Sequence, residues 1–363
     1  MSTNKSSESG RIDYVDLAKG FCITLVVAIH IVDFFAVSFP AASFFCAFRM
    51  PLYFFLSGLF FKRYENFRGF ALRKTNKLLI PFFFFYLLTS VLLTNALHWF
   101  GYDVRNVDII GIQSLWAFIT PGHFSNGPIW FLLCLFWVNI LFYCIILISD
   151  HISGHIQIAS IVFLSILCGT CGWLASKLSI DLWAFFDTAL SAVPFFCFGY
   201  ILRKYTPILT ANKSDRFLPI LIIVAGIATW IFRGGMYFQQ NDYGTNNPLV
   251  VFAGGCFGTL MIMFIAKRFA RIPFLSYWGR YSIIILCTHI MLVQLLFRII
   301  SHLGLIETIG VWPSYIVVLL PTMFSFQLII PLCIKFIPWF TAQKDLIPIP
   351  SKSTTTQQPT QTN

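Results

Sequence analysis

Asp13-Tyr-Val-Asp16-Leu-Ala-Lys19-Gly-Phe-Cys-Ile-Thr-Leu-Val-Val-Ala-Ile-His30-Ile-Val-Asp33 is the stretch that decides the fold. From Gly20 to Ile29 it carries no charge, and with its flanks it is long enough to cross a hydrocarbon core of ~30 Å as a helix. It places a cation at one mouth and ionisable groups deep in the apolar run. Such groups are costly in lipid and mark functional sites by default. Lys19 and His30 lie eleven residues apart, so they differ by only ~20° in azimuth and ~16 Å along one helix face. Histidine suits proton transfer because its unperturbed pKa of ~6.5 lies near working pH. His30 is therefore the leading catalytic candidate, and Asp33, at i+3, can orient its imidazole. The bland alternative has His30 bonding a neighbouring helix and Asp33 lying in the interface.

Similar apolar runs recur along the whole chain. Of 363 residues, 58% are hydrophobic, 11% are charged and 42 are Phe. An ordinary globular domain carries roughly 25% charged residues, so most of this surface must face lipid. The net charge of +11 does not mark a nucleic-acid binder, because Lys and Arg cluster in short connections between apolar runs. The first run has no small-residue cleavage site and reads as a retained helix, not a signal peptide. The ten Cys sit inside apolar segments and behave as small hydrophobes. Cys168 and Cys171 lack a second pair of ligands and read as packing.

The expected fold is an all-α polytopic integral membrane protein of about ten transmembrane helices, with both termini cytoplasmic. The helices are placed at about 15–37, 43–61, 78–98, 128–149, 155–174, 183–203, 217–233, 249–268, 274–300 and 314–338, within the few-residue margin of such boundaries. Basic residues near short loops are retained on the cytoplasmic side, and ten spans put nearly all of them there. The outer loops keep only Arg105, Lys177 and Arg233, while Arg49 and Arg298 fall inside helices. One domain over 11–340 thus lies between a disordered leader, 1–10, and a disordered tail, 341–363, polar and low in complexity from Ser351 onward. Two outer loops are candidate acceptor elements. The connection from Trp99 to Gly127 holds an interfacial stretch beginning at Trp116, and 234–247 (GGMYFQQNDYGTNN) is rich in the aromatic and amide groups that suit a sugar.

Three further groups carry chemistry. Arg49, inside the second apolar run, must be paired or solvated; it either meets an acceptor or developing oxyanion, with Asp33 or a wet cavity as partner, or snorkels outward as an anchor. The loop KRYENFRGFALRKTNK, 62–77, is strongly basic. It is either a pure topology signal or a phosphate site in which Arg73, Lys74 and Lys77, at i, i+1 and i+4, gather donors at one spot. In the ninth helix, Arg280 and Ser282 precede His289, repeating the cation-then-histidine arrangement; Ser282 and His289 are seven apart and share a face, so His289 either lines the same polar tunnel as His30 or is a buried histidine bonded for packing. His98, His123 and His302 read as interfacial. No metal-ligand spacing, P-loop, dinucleotide fingerprint or Gly-x-Ser-x-Gly elbow is present.

In their order, these motifs resemble the acyltransferase family 3 membrane proteins, and among them the fucose 4-O-acetylase-like branch. Lys19 and His30 fit the hallmark of a basic residue, ten intervening positions and a His, and Asp16-x-x-Lys19-Gly resembles the branch's lead-in. Met50-Pro-Leu-Tyr-Phe-Phe-Leu-Ser57-Gly58, Lys77-Leu-Leu-Ile-Pro81, Gly127-Pro-Ile-Trp130 and Gly279-Arg-Tyr-Ser282 through His289 are similar to further motifs. Arg49 stands where the branch usually carries His. The resemblance implies transfer of an acetyl or similar acyl group from cytoplasmic acyl-CoA, as co-substrate, to a hydroxyl of a glycan or lipid-linked sugar in a bacterial inner membrane. His30 would be general base or transient acyl carrier, with Asp33, Arg49 and His289 around it. Lys19, Arg73, Lys74, Lys77, Arg280 and Ser282 would hold the donor. Two other classes stay open at this level: a transporter or flippase using the same charges as a path, and a membrane component that has lost activity.

Overall fold

The computed structural model describes residues 12–37, 39, 41–64, 66–99, 126–152, 154–207 and 216–349. The leader, the tail from Ser351 and the Trp116 stretch lie outside them, as does His123. Among the described residues the chain is helical, with one isolated antiparallel bridge between Tyr237 and Asp242. In chain order the helices are α1 (Asp13–Phe35), α2 (Ala42–Leu59), α3 (Phe67–Leu93, continuing through Thr94–Trp99), α4 (Gly127–Ser149) and α5 (His155–Lys177). They continue with α6 (Trp183–Tyr205), α7 (Leu218–Ile231), α8 (Pro248–Phe269), α9 (Pro273–Arg280), α10 (Ser282–His302), α11 (Leu305–Ile309) and α12 (Val311–Phe336). Nine of these are long and apolar enough to cross a bilayer, all but α7, α9 and α11. Phe163 on α5, Ile223 on α7 and Leu328 on α12 are among many large apolar side chains left exposed, an apolar surface far beyond what a water-soluble monomer shows. The protein is an all-α polytopic membrane protein.

The short helix α7 has 14 residues and rises only ~21 Å, yet the packing makes it a crossing. At the end of α6, Arg203 donates to the Leu59 carbonyl at the end of α2. The loop after α7 sits at the other end of α6, where Thr188 donates to the Phe238 carbonyl and Lys177 to that of Gly244. The chain between Tyr205 and Phe238 therefore passes from one face of the bundle to the other. Arg63 pairs with Asp150 on the same face as Arg203, as the ten-span count requires.

Two helix boundaries differ from those read in the sequence. The helix expected from residue 78 begins at Phe67, because Asn66 caps it by accepting the Gly69 N–H at 2.6 Å. The basic stretch is therefore mostly helical, and it runs into a π-helical turn, Thr75–Leu79. The helix expected over 274–300 breaks at Tyr281 (φ −111°, ψ 27°) into α9 and α10. A third difference lies at the end of the chain: part of the expected tail, residues 341–349, folds back on α3. Buried Asn76 donates to the Ile347 carbonyl at 2.9 Å and accepts from the Leu346 and Ile347 N–H groups at 3.0 and 2.8 Å. Phe340 stacks on Phe84 with ring centres 4.2 Å apart.

Small residues set the close crossings, as is usual between helices in lipid. A side chain on Gly20 would strike the Leu275 carbonyl, and one on Gly279 the Asp16 carbonyl, so α1 and α9 cross backbone to backbone. Gly58 and Gly199 do the same for α2 and α6. The first crossing brings Lys19 to the start of α10, where Ser282 lies.

Candidate functional site

The crossing of α1, α2, α4 and α10 against α3 encloses a cavity of about 270 Å³. Lys19, Lys74 and Lys77 line it toward the basic face, with Ser57 and Ser282, and apolar walls come from Phe131, Leu132 and Leu286 among others. Lys74 and Lys77 both reach it from the π-helical region of α3, a geometry often found at functional sites. Lys19 and Arg203 lie 5.9 and 5.5 Å from the centre of the Phe60 ring, so a further cation sits beside this wall.

Of the six donor residues read from the sequence, Lys19, Lys74, Lys77 and Ser282 line the cavity, whereas Arg73 and Arg280 do not. Arg73 places its guanidinium 4.4 Å over the Tyr64 ring, and Arg280, exposed, lies over Tyr281 at 5.3 Å. Lys77 is also engaged by the folded-back segment: its Nζ donates to the Ala342 carbonyl at 2.8 Å and pairs with Asp345 at 3.2 Å.

Beyond the cavity lie the histidines. His30 on α1 and His289 on α10 face each other with ring centres 5.4 Å apart. His289 is fully buried; its Nδ1 lies 2.8 Å from the Ile285 carbonyl, which fixes the hydrogen on Nδ1 and leaves buried Nε2 without a partner. His30 directs Nδ1 at Asp33 Oδ2, 3.4 Å away, so its Nε2 is the free base. Leu286, at the cavity wall, precedes His289 by three residues, or ~4.5 Å along the helix.

Arg49 does not pair with Asp33. Its Nε and Nη1 are buried without partners, while its carbonyl accepts from Cys22 Sγ at 2.9 Å. Helical side chains lean toward their own N-terminus, so the guanidinium leans away from the basic face. Two residues escaped the sequence reading. Buried Asn126, directly before Gly127-Pro-Ile-Trp130, donates to the Cys287 carbonyl at 2.8 Å and keeps Oδ1 unpartnered. Asn139, on the cavity wall, bonds the Leu135 carbonyl at 2.7 Å and also keeps a bare Oδ1. Both are legible in the sequence as amides in or beside an apolar run.

The loop 234–247 is largely structural. Asn241 is buried, accepting from Ser191 at 2.7 Å and donating to the Gly172 carbonyl at 2.8 Å, and Asn246 donates to the Gly235 carbonyl at 2.7 Å. Tyr237 and Gln240 remain exposed, and Gln239 Nε2 approaches Gly127, which sets this loop beside Asn126 on the face opposite the lysines.

A histidine pair one turn beyond a cation-lined cavity fits transfer of a group carried on an anionic donor. A family profile described as an acyltransferase domain matches residues 12–330 of the chain. The chain belongs to acyltransferase family 3. No functionally curated protein and no solved structure gives a match. In an acyltransferase, buried donors near the reacting carbonyl stabilise the oxyanion that forms there, and they act most strongly where water is excluded. Arg49 Nε and Nη1 are buried donors beside α1, whereas Asn126 gives its amide hydrogen to the Cys287 carbonyl and leaves only an acceptor.

Proposed function

We propose that this acyltransferase moves an acetyl or similar acyl group from acyl-CoA, entering at the basic face, to a hydroxyl of a glycan or lipid-linked sugar. The basic face is read as cytoplasmic, and a bacterial inner membrane is the location that the resemblance to the fucose 4-O-acetylase-like branch suggests. The observation that carries the proposal is the cavity walled by Lys19, Lys74 and Lys77 that ends one turn short of the His30–His289 pair. The lysines meet phosphate oxygens through charge-assisted hydrogen bonds, and the thioester end lies inward.

His30 Nε2 removes the proton of the acceptor hydroxyl as its oxygen attacks the thioester carbonyl. The C–S bond then breaks, the sulfur leaves as thiolate, and the proton passes from the imidazolium to it. Asp33 orients His30 and stabilises its cation; neutral His289, with its bare Nε2, accepts a hydrogen bond from the imidazolium or the hydroxyl. Arg49 neutralises the oxyanion. It takes over the position at which relatives of this branch usually carry His, and it changes the group there from base to fixed cation.

General-base catalysis contributes roughly 10²–10⁴-fold. Label transfer from radiolabelled acetyl-CoA to membrane glycans should therefore appear with the wild type and fall by at least about a hundredfold in His30→Ala at matched expression. If neither protein transfers label from acetyl-CoA or from longer acyl-CoAs, the reading fails and translocation of an anion through the same cavity takes its place.

A further inference from the structure

Asn139 sits near the middle of α4, among Leu, Phe and Trp, and is 1% exposed. Its Nδ2 is occupied by the Leu135 carbonyl, but Oδ1 has no partner. Across the same cavity, the buried Tyr53 hydroxyl lies near Ser282 and Cys22 without a well-formed hydrogen bond to either. A buried polar atom left unpaired is costly, and in mid-membrane no bulk water relieves it. The two residues that carry these atoms, an acceptor and a hydroxyl, line one cavity between the lysines and the histidines. They call for an occupant with both an N–H and a carbonyl on a narrow chain.

The cavity's size limits that occupant. At about 270 Å³ it lies just below the usual range of small-molecule sites, so it takes an extended arm and leaves a nucleotide outside. We infer that Asn139 and Tyr53 form an amide-reading rung for the donor, Asn139 Oδ1 accepting an amide N–H and Tyr53 Oη donating to a carbonyl of the arm. This rests on the acyl-CoA reading above and deepens it: the lysines hold the phosphates, and the rung recognises the amide-bearing pantetheine arm. The rung makes the enzyme selective for donors by their arm, independently of their charge.

The test uses the purified full-length chain, binding of radiolabelled acetyl-CoA, and competition by two fragments. One fragment, 4′-phosphopantetheine, carries the amides; the other, adenosine 3′,5′-bisphosphate, carries only the nucleotide phosphates. Asn139→Leu, close in volume and at home in a membrane helix, should weaken phosphopantetheine about tenfold, the size of one hydrogen bond, and adenosine bisphosphate by less than about twofold. Tyr53→Phe should do the same and guards against a folding defect peculiar to Asn139. Equal weakening of both fragments, or unchanged phosphopantetheine affinity in both variants, overturns the rung while leaving the donor assignment standing. Failure of the wild type to bind acetyl-CoA overturns both.

Discussion

Lys77 and Arg280 look alike in the sequence, each a cation at the basic end of a membrane helix, and the structure separates them. Lys77 lines the cavity and Arg280 does not. Lys77→Gln should raise the KM for acetyl-CoA and leave kcat near its original value, since it removes binding common to ground and transition state. The rise should stay below about tenfold, because the side chain is 45% exposed and solvent screens its charge. Arg280→Gln should change neither constant, and initial-rate measurements in vesicles decide both. His30, His289 and Lys19 were legible because ionisable groups stand out against lipid. Asn126 and Asn139 were not singled out, since an amide gains meaning in an apolar helix only once its neighbours show which of its atoms lack a partner.

At the level of helices, the length of the apolar runs was enough to find the crossings among the described residues, α7 included. The errors came from signals shorter than such a run. One Asn, at position 66, extends α3 backwards through residues whose charge had suggested a loop. One residue, Tyr281, splits the ninth expected helix, and the split lets α9 lie against α1 at the Gly20–Gly279 crossing. Gly279→Ala forces the two backbones apart and should cost about 1–3 kcal/mol, as overpacking does, with loss of donor binding because Lys19 and Ser282 separate. Gly226→Ala on α7, where an added methyl meets only Met261 Sδ at 3.4 Å, should be tolerated. Thermal unfolding in detergent, read beside acetyl-CoA binding, compares the pair.

Across the whole molecule, the two faces of the bundle divide the work: cations gather on one, and the loop 234–247 with Asn126 on the other. That division was readable from the positions of Lys and Arg alone. The attachment of residues 341–349 to α3 was not, because no local pattern joins Asn76 to a segment 271 positions away. Asn76→Ala removes three hydrogen bonds and should lower stability by about 3 kcal/mol, at ~1 kcal/mol for each bond; an unchanged melting temperature would remove that segment from the folded core. Its position also has a consequence for biosynthesis. The helices can enter the bilayer one after another as the chain is made, but the surroundings of Lys77 are finished only once the segment after α12 has been translated. A contact between such distant positions closes late, so a nascent chain that has not yet reached residues 341–349 holds its histidines in place while the mouth of the cavity at Lys77 is still incomplete.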